Sequence, residues 1–136
     1  MKIIACIDDN NGMLFGGRRQ SRDKLLTADI IANLEDGESL CVFGYSARLF
    51  ADFSDRITII SSIEEAEKNS AVFIEKDKVS LFEKYADTII IYKWNKVYPA
   101  DFWFDIDLNN GDWTLADSFE FQGNSHKKIT REVYTR

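Results

Sequence analysis

Short apolar runs recur along this chain, and through its first two thirds most are separated by segments with helical signals. Residues 2–8 are apolar up to Asp8 and fit a buried strand. Residues 9–17 contain Asn, Asp and three glycines, which predicts a loop. Leu26, Ile30 and Leu34 recur every fourth position, with Leu25 and Ile31 beside them, so residues 22–34 read as an amphipathic helix. Ser21 is the expected N-cap and Asp23 an acid in the first turn, where the helix dipole favours negative charge. Glu35-Asp36-Gly37 ends the helix. Leu40–Phe43 is a short strand closed by Gly44, and Ser46 is placed to cap a short helix running to Phe53. Ile57–Ile60 is β-branched and strand-like. A short helix over residues 63–68, a strand over 71–74, a helix over 78–85 and a strand over 88–94 follow. Helix-linked apolar strands imply βαβ units and a parallel sheet.

The last third changes character. Residues 100–104, 113–121 and 128–135 are extended, with no helical pattern between them. Gln122-Gly123-Asn124-Ser125 joins the last two, which predicts a terminal antiparallel hairpin. The expectation is an α/β fold: a central, mainly parallel sheet with helices on both faces and a C-terminal hairpin. No repeat, linker or low-complexity tract is visible, so residues 1–136 read as one domain, and their number suffices for a full core.

Charge narrows the partners. A formal net charge of −6 argues against a general binder of nucleic acid or anionic membranes. The two cysteines, Cys6 and Cys41, sit inside apolar runs, as expected for buried free thiols in a reducing cytoplasm; a single disulfide is the alternative. Neither has metal-ligand spacing around it, so no metal is expected. Residues 1–7 lack the long apolar region of a signal peptide, and no run approaches the roughly 20 apolar residues of a membrane span. A cytoplasmic, soluble protein is expected.

Three features carry candidate chemistry. Gly16-Gly17-Arg18-Arg19-Gln20-Ser21-Arg22 combines free backbone, positive charge and a helix start, the ingredients of an anion site at Arg18, Arg19 and Arg22. The alternative is a solvated basic loop. His126 is the sole histidine, a proton donor in principle, but its polar neighbours beside a hairpin turn predict a surface residue. Phe102-Trp103-Phe104 alternates so that Trp103 faces away from its neighbours, either as core or as one ring turned toward a ligand or partner.

The order of elements and several local motifs together resemble dihydrofolate reductase. Ile7-Asp8 followed by Gly12-Met13 looks like the end of that family's first strand and its mobile loop. Val42-Phe43-Gly44 looks like the strand before its second helix, and Ile57-Thr58-Ile59-Ile60-Ser61-Ser62 like the strand whose terminal serine helps hold the cofactor phosphate. Residues 98–104 resemble its short aromatic segment, and 120–136 its closing hairpin. The resemblance implies an NADPH-dependent reductase of dihydrofolate or a related pterin, binding small molecules. The implied cofactor contacts are Gly12, Met13, Gly44, Tyr45, Ser46, Ser61 and Ser62.

The sequence also departs from the family pattern. Gln20-Ser21 stands where the family has Pro-Trp. A gapless match puts Leu26 at the catalytic carboxylate, with Asp23 and Asp29 three residues either side, about 4.5 Å along the helix axis. Either acid is a candidate proton source if the helix start has shifted; otherwise Asp23 completes the helix N-terminus and Asp29 is solvated. Glu75-Lys76-Asp77 replaces the glycine pair that lets backbone approach the pyrophosphate, Tyr45 replaces the arginine that clamps the 2′-phosphate, and Tyr92 replaces the threonine that supports the carboxylate. Two readings follow: a reductase of the family type, or a non-catalytic ligand-binding or regulatory module on the same scaffold.

Overall fold

The computed structural model describes residues 1–136. In chain order its elements are β1 (Lys2–Ile7), β2 (Gly12–Phe15), β3 (Arg18–Arg19), helix α1 (Lys24–Ala32), β4 (Leu40–Phe43), β5 (Ile57–Ile60), β6 (Ala71–Phe73), β7 (Thr88–Lys93), β8 (Phe102–Trp103), β9 (Thr114–Phe121) and β10 (Ile129–Thr135). Segments Gly44–Arg56, Ile63–Glu65 and Val79–Tyr85 are 3₁₀ helix.

Alternation along the strands builds two cores, one on each face of a seven-stranded sheet ordered β5-β4-β6-β1-β7-β10-β9. Ile3, Ala5 and Ile7 of β1, Val72 and Ile74, and Ile89 and Ile91 of β7 point to one face, where Val79, Phe82, Phe104 and Trp113 cover them. Ile4, Leu40, Val42, Phe73 and Tyr92 point to the other, under Leu26, Ile30 and Ile31 of α1 and Phe50. Strands β5, β4, β6, β1 and β7 run parallel, and β10 joins β7 antiparallel. The β9–β10 pair forms the expected terminal hairpin, with an irregularity between Val133 and Tyr134. The fold is α/β, with a mainly parallel central sheet, as the strand pattern predicts.

Cys6 and Cys41 are both free. Cys6 packs against the core beneath α1 and Cys41 lies in the opposite one, so the sheet separates the two thiols. Burial raises the pKa of both.

Several expectations need correction. Residues 9–17 are not all loop: β2 pairs with β3 and with β8 in a separate three-stranded sheet. The glycines make the turn between β2 and β3, where Gly16 and Gly17 take φ of 59° and 74°. The N-cap of α1 is Asp23, not Ser21, because the Asp23 carboxylate accepts the N–H groups of Leu25 and Leu26. Ser46 caps no helix. Its hydroxyl donates to Glu75 instead, and the 44–56 segment is 3₁₀ with kinks at Phe50 and Phe53. Serine and aspartate are dense there and compete with the helical backbone. The expected helices over 63–68 and 78–85 are likewise shorter 3₁₀ pieces.

Candidate functional site

The ends of β1, β4, β6 and β7 converge on one crevice, as parallel strands in an open sheet do. Asp8 follows β1 directly. Its buried carboxylate accepts N–H groups from Asn10 and Gly12 at 2.9 and 2.7 Å on one oxygen, and from Tyr98 N and Gln20 Nε2 at 3.0 and 3.1 Å on the other. Burial pushes its pKa up, but these donors outweigh burial and hold it below the usual carboxylate range. Gly12 is required by close approach: a Cβ there would lie 2.5 Å from Gln20 Nε2 and 2.7 Å from the Ala100 Cβ. Met13, beside it, is buried in the core.

The middle of the crevice is filled by side chains. Arg19 grips Glu75 with two bonds of 2.8 Å, from Nε and Nη2. Ser46 Oγ donates to the same carboxylate at 2.7 Å. Tyr45 closes the group: its hydroxyl accepts the Arg19 N–H at 3.0 Å, and Lys76 Nζ lies 4.2 Å from the ring centroid. Hydrogen bonding to Glu75 raises the Arg19 pKa. The cavity left between Met13, Arg19, Glu75 and Trp94 is about 10 Å³, room for one water at most.

The implied cofactor contacts are therefore mostly committed elsewhere. Ser46 and Tyr45 belong to the Arg19–Glu75 group. The N–H groups of Ser61 and Ser62 donate to Glu65 Oε2 at 2.5 and 2.7 Å, so a carboxylate sits where they would meet a phosphate. Gly44 borders open space. The residues present do not fit the dinucleotide phosphates that the resemblance implies. Of the three candidate anion-binding arginines, Arg19 is internally paired, while Arg18 and Arg22 are exposed.

Beside this crevice lies a cluster that sequence reasoning did not assemble. His126 is buried, contrary to the surface position predicted for it, with its side chain 3% exposed. Its Nδ1 lies 3.0 Å from Asp23 Oδ2, its Nε2 2.9 Å from the Tyr98 hydroxyl and 3.2 Å from Ser21 Oγ, and its ring packs on Trp94 with centroids 4.7 Å apart. Asp23 also accepts the N–H groups of Asn124 and Ser125, both at 2.8 Å. Burial raises its pKa, but the Asn124, Ser125 and His126 hydrogen bonds hold it far below the usual range. Gly123 lets the hairpin turn approach, since a Cβ there would lie 2.5 Å from Asp23 Oδ2.

Asp29, the second candidate acid, is neither solvated nor free. It accepts from the Tyr92 hydroxyl at 2.6 Å and from Arg131 Nη1 at 2.7 Å. Burial, then the bond to Asp29, raises the Tyr92 pKa. Tyr92 thus supports a carboxylate from the position where the resemblance places a supporting threonine.

An open cleft of about 420 Å³ separates α1 from the 44–56 segment. Arg22, Lys24 and Arg48 supply positive charge, Leu49, Ala51 and Phe53 an apolar wall, and Thr27, Asn124 and Ser125 polar groups; Asp23 and Asp52 complete the lining. No group of acidic, histidine and cysteine side chains is arranged to hold a metal ion.

No family model and no curated protein sequence matches the chain. Among solved structures, it is similar to dihydrofolate reductase from Enterococcus faecalis complexed with NADP(H) and RAB-propyl. The TM-score is 0.66, the identity 12%, and the match covers 99% of this chain and 95% of that one. The fold is dihydrofolate reductase-like. No helix is long and apolar enough to cross a membrane.

Proposed function

We propose that this chain uses a dihydrofolate reductase-like scaffold to bind a small anionic molecule in the cleft between α1 and the 44–56 segment, without hydride transfer from NADPH. The observation that carries this reading is the Arg19–Glu75–Ser46 group, which fills the crevice at the strand ends. The cleft stays open and offers three cations beside an apolar wall, within the range of volumes typical of small-molecule sites. A carboxylate or phosphate bearing a flat apolar body, such as a pterin conjugate or a nucleotide, has complementary chemistry. The free thiols suit a cytoplasmic protein.

A second reading, NADPH-dependent reduction of dihydrofolate or a related pterin, is supported by the Tyr92–Asp29 pair and by the NADP(H) complex of the similar structure. It requires the Arg19–Glu75 pair to open and a carboxylate to be released from its partners.

Thermal shift separates the two. A ligand at one hundred times its Kd stabilises the folded state by about 2.7 kcal/mol. The proposed function expects such a shift with dihydrofolate or a nucleotide monophosphate, its loss in Arg48→Ala, and none with NADPH. NADPH oxidation that depends on added dihydrofolate would sink it.

A further inference from the structure

The triplet Asn-Asn-Gly occurs twice in this chain, as Asn10-Asn11-Gly12 and as Asn109-Asn110-Gly111. An asparagine followed by glycine carries its own reaction partner. The glycine backbone nitrogen can attack the side-chain amide carbon, and the missing Cβ removes the crowding that slows this attack before other residues. The reaction needs a nitrogen free of other bonds and an amide carbon able to reach it. The two triplets differ in both respects.

The first triplet is locked. The Gly12 N–H donates to the buried Asp8 carboxylate at 2.7 Å, so its proton is held beside a negative charge. The Asn11 N–H donates to the Asp8 carbonyl at 3.1 Å, and the Asn11 carbonyl accepts the Phe104 N–H at 2.8 Å. Gly12 itself is packed against Gln20 and Ala100. Forming a new ring at this peptide requires the whole turn to open.

The second triplet is exposed throughout, in the loop between β8 and β9. No hydrogen bond holds the Gly111 N–H, and a Cβ added at Gly111 meets nothing within 4 Å. Asn110 Oδ1 accepts the Asp112 N–H at 3.0 Å, a bond that folds the side-chain amide back around the Gly111 peptide. That N–H also points at the oxygen on which negative charge develops as the amide carbon becomes tetrahedral. Leu108 and buried Trp113 fasten the two ends of the loop to the core, and the Trp113 indole N–H donates to Glu83 at 2.9 Å. The turn is therefore held in shape while its tip stays open to water.

We propose that Asn110-Gly111 is a site of spontaneous covalent modification, at which Asn110 becomes isoaspartate and aspartate through a cyclic imide. The Gly111 nitrogen loses its proton to hydroxide and bonds to Asn110 Cγ. The Cγ–Nδ2 bond breaks, and the side-chain nitrogen takes a proton from water and leaves as ammonia. Water then opens the imide. Cleavage at Cγ gives aspartate; cleavage at the main-chain carbonyl carbon gives isoaspartate, whose backbone runs through Cβ and Cγ. Each event exchanges NH2 for OH, with no oxidant or cofactor. Both products add a negative charge to a loop that already holds Asp105, Asp107 and Asp112. Isoaspartate also lengthens the backbone by one atom between its anchors at Leu108 and Trp113.

The test incubates the full chain at pH 8, folded and in urea, and follows both triplets by peptide mass spectrometry. Unfolded, Asn11 and Asn110 should convert at equal rates, because each stands between an asparagine and a glycine. Folded, Asn110 should convert at its unfolded rate or faster, while Asn11 waits for local opening and lags by about tenfold or more. An isoaspartyl carboxyl methyltransferase with a labelled methyl donor should place label on residue 110 of the aged wild type and none there in Asn110→Gln. A folded Asn110 slower than the unfolded one, or a folded Asn11 that keeps pace with it, would overturn the proposal. Conversion at Asn110 without methyl labelling would show direct hydrolysis of the amide and overturn the imide route.

Discussion

Asp23 joins three parts of the molecule through one carboxylate: it caps α1, anchors the turn at Asn124 and Ser125, and orients His126. Its pKa lies below that of an unfolded aspartate, near 3.9, so it binds fewer protons folded than unfolded. Its contribution is therefore present above about pH 4 and lost as the pH falls through the folded value. Urea midpoints measured from pH 6 downward should fall below about pH 4 in the wild type and less steeply in Asp23→Asn, which should itself be less stable by about 2–4 kcal/mol at neutral pH. Gly123→Ala should cost about 1–3 kcal/mol in the same assay, because its Cβ would meet Asp23 Oδ2 and the Ile129 Cδ1 at 2.5 and 2.8 Å. Little of this was legible locally. A lone histidine flanked by Ser125 and Lys127 has the sequence context of a surface residue; its partner Asp23 is 103 positions away, beyond any periodicity. The acid at the helix start was visible, but which residue closes the cap depends on where Gly123 brings the hairpin.

Strands β1, β4, β5, β6 and β7 and the terminal hairpin lie where the sequence pattern puts them, because short apolar or β-branched runs bounded by turn residues favour strands. The short helices expected at 46–53, 63–68 and 78–85 take 3₁₀ form: they are short, and burial of Phe50 and Phe82 rather than a repeated apolar stripe anchors the two longer ones. Glycines concealed β2, since a correct turn signal at Gly16 and Gly17 masked the strand before it. In the sequence Glu75 stands out only as part of the replacement for the glycine pair; its pairing with Arg19 is not legible there, since the two lie 56 residues apart. That pair ties β3 to the end of β6. Arg19→Ala and Glu75→Ala should each destabilise by about 1–3 kcal/mol, and a double-mutant cycle in urea should return a coupling above about 1 kcal/mol. Simple additivity would show that the group does not act as one unit.

Across the whole molecule, order should fall from the centre of the sheet to its margin. β1 is paired on both sides, by β6 and β7, and its two faces lie in opposite cores. β9 pairs only with β10 and is exposed along most of its length, including Leu115 and Phe119. Hydrogen exchange followed by mass spectrometry should leave β1 and β7 protected longest and release β9 amides first among the strands. Protection of β9 equal to that of β1 would mean that something covers this edge in solution.

The Asp23–His126 cluster also sets an order in time. A ribosome delivers Asp23 about a hundred residues before Asn124, Ser125 and His126. Until then the start of α1 lacks its hairpin anchor, and the central β1–β7 pair has no β10 beside it. A nascent chain arrested just before the hairpin should be open to proteases around residues 18–26 and should close in one step when the last strand emerges.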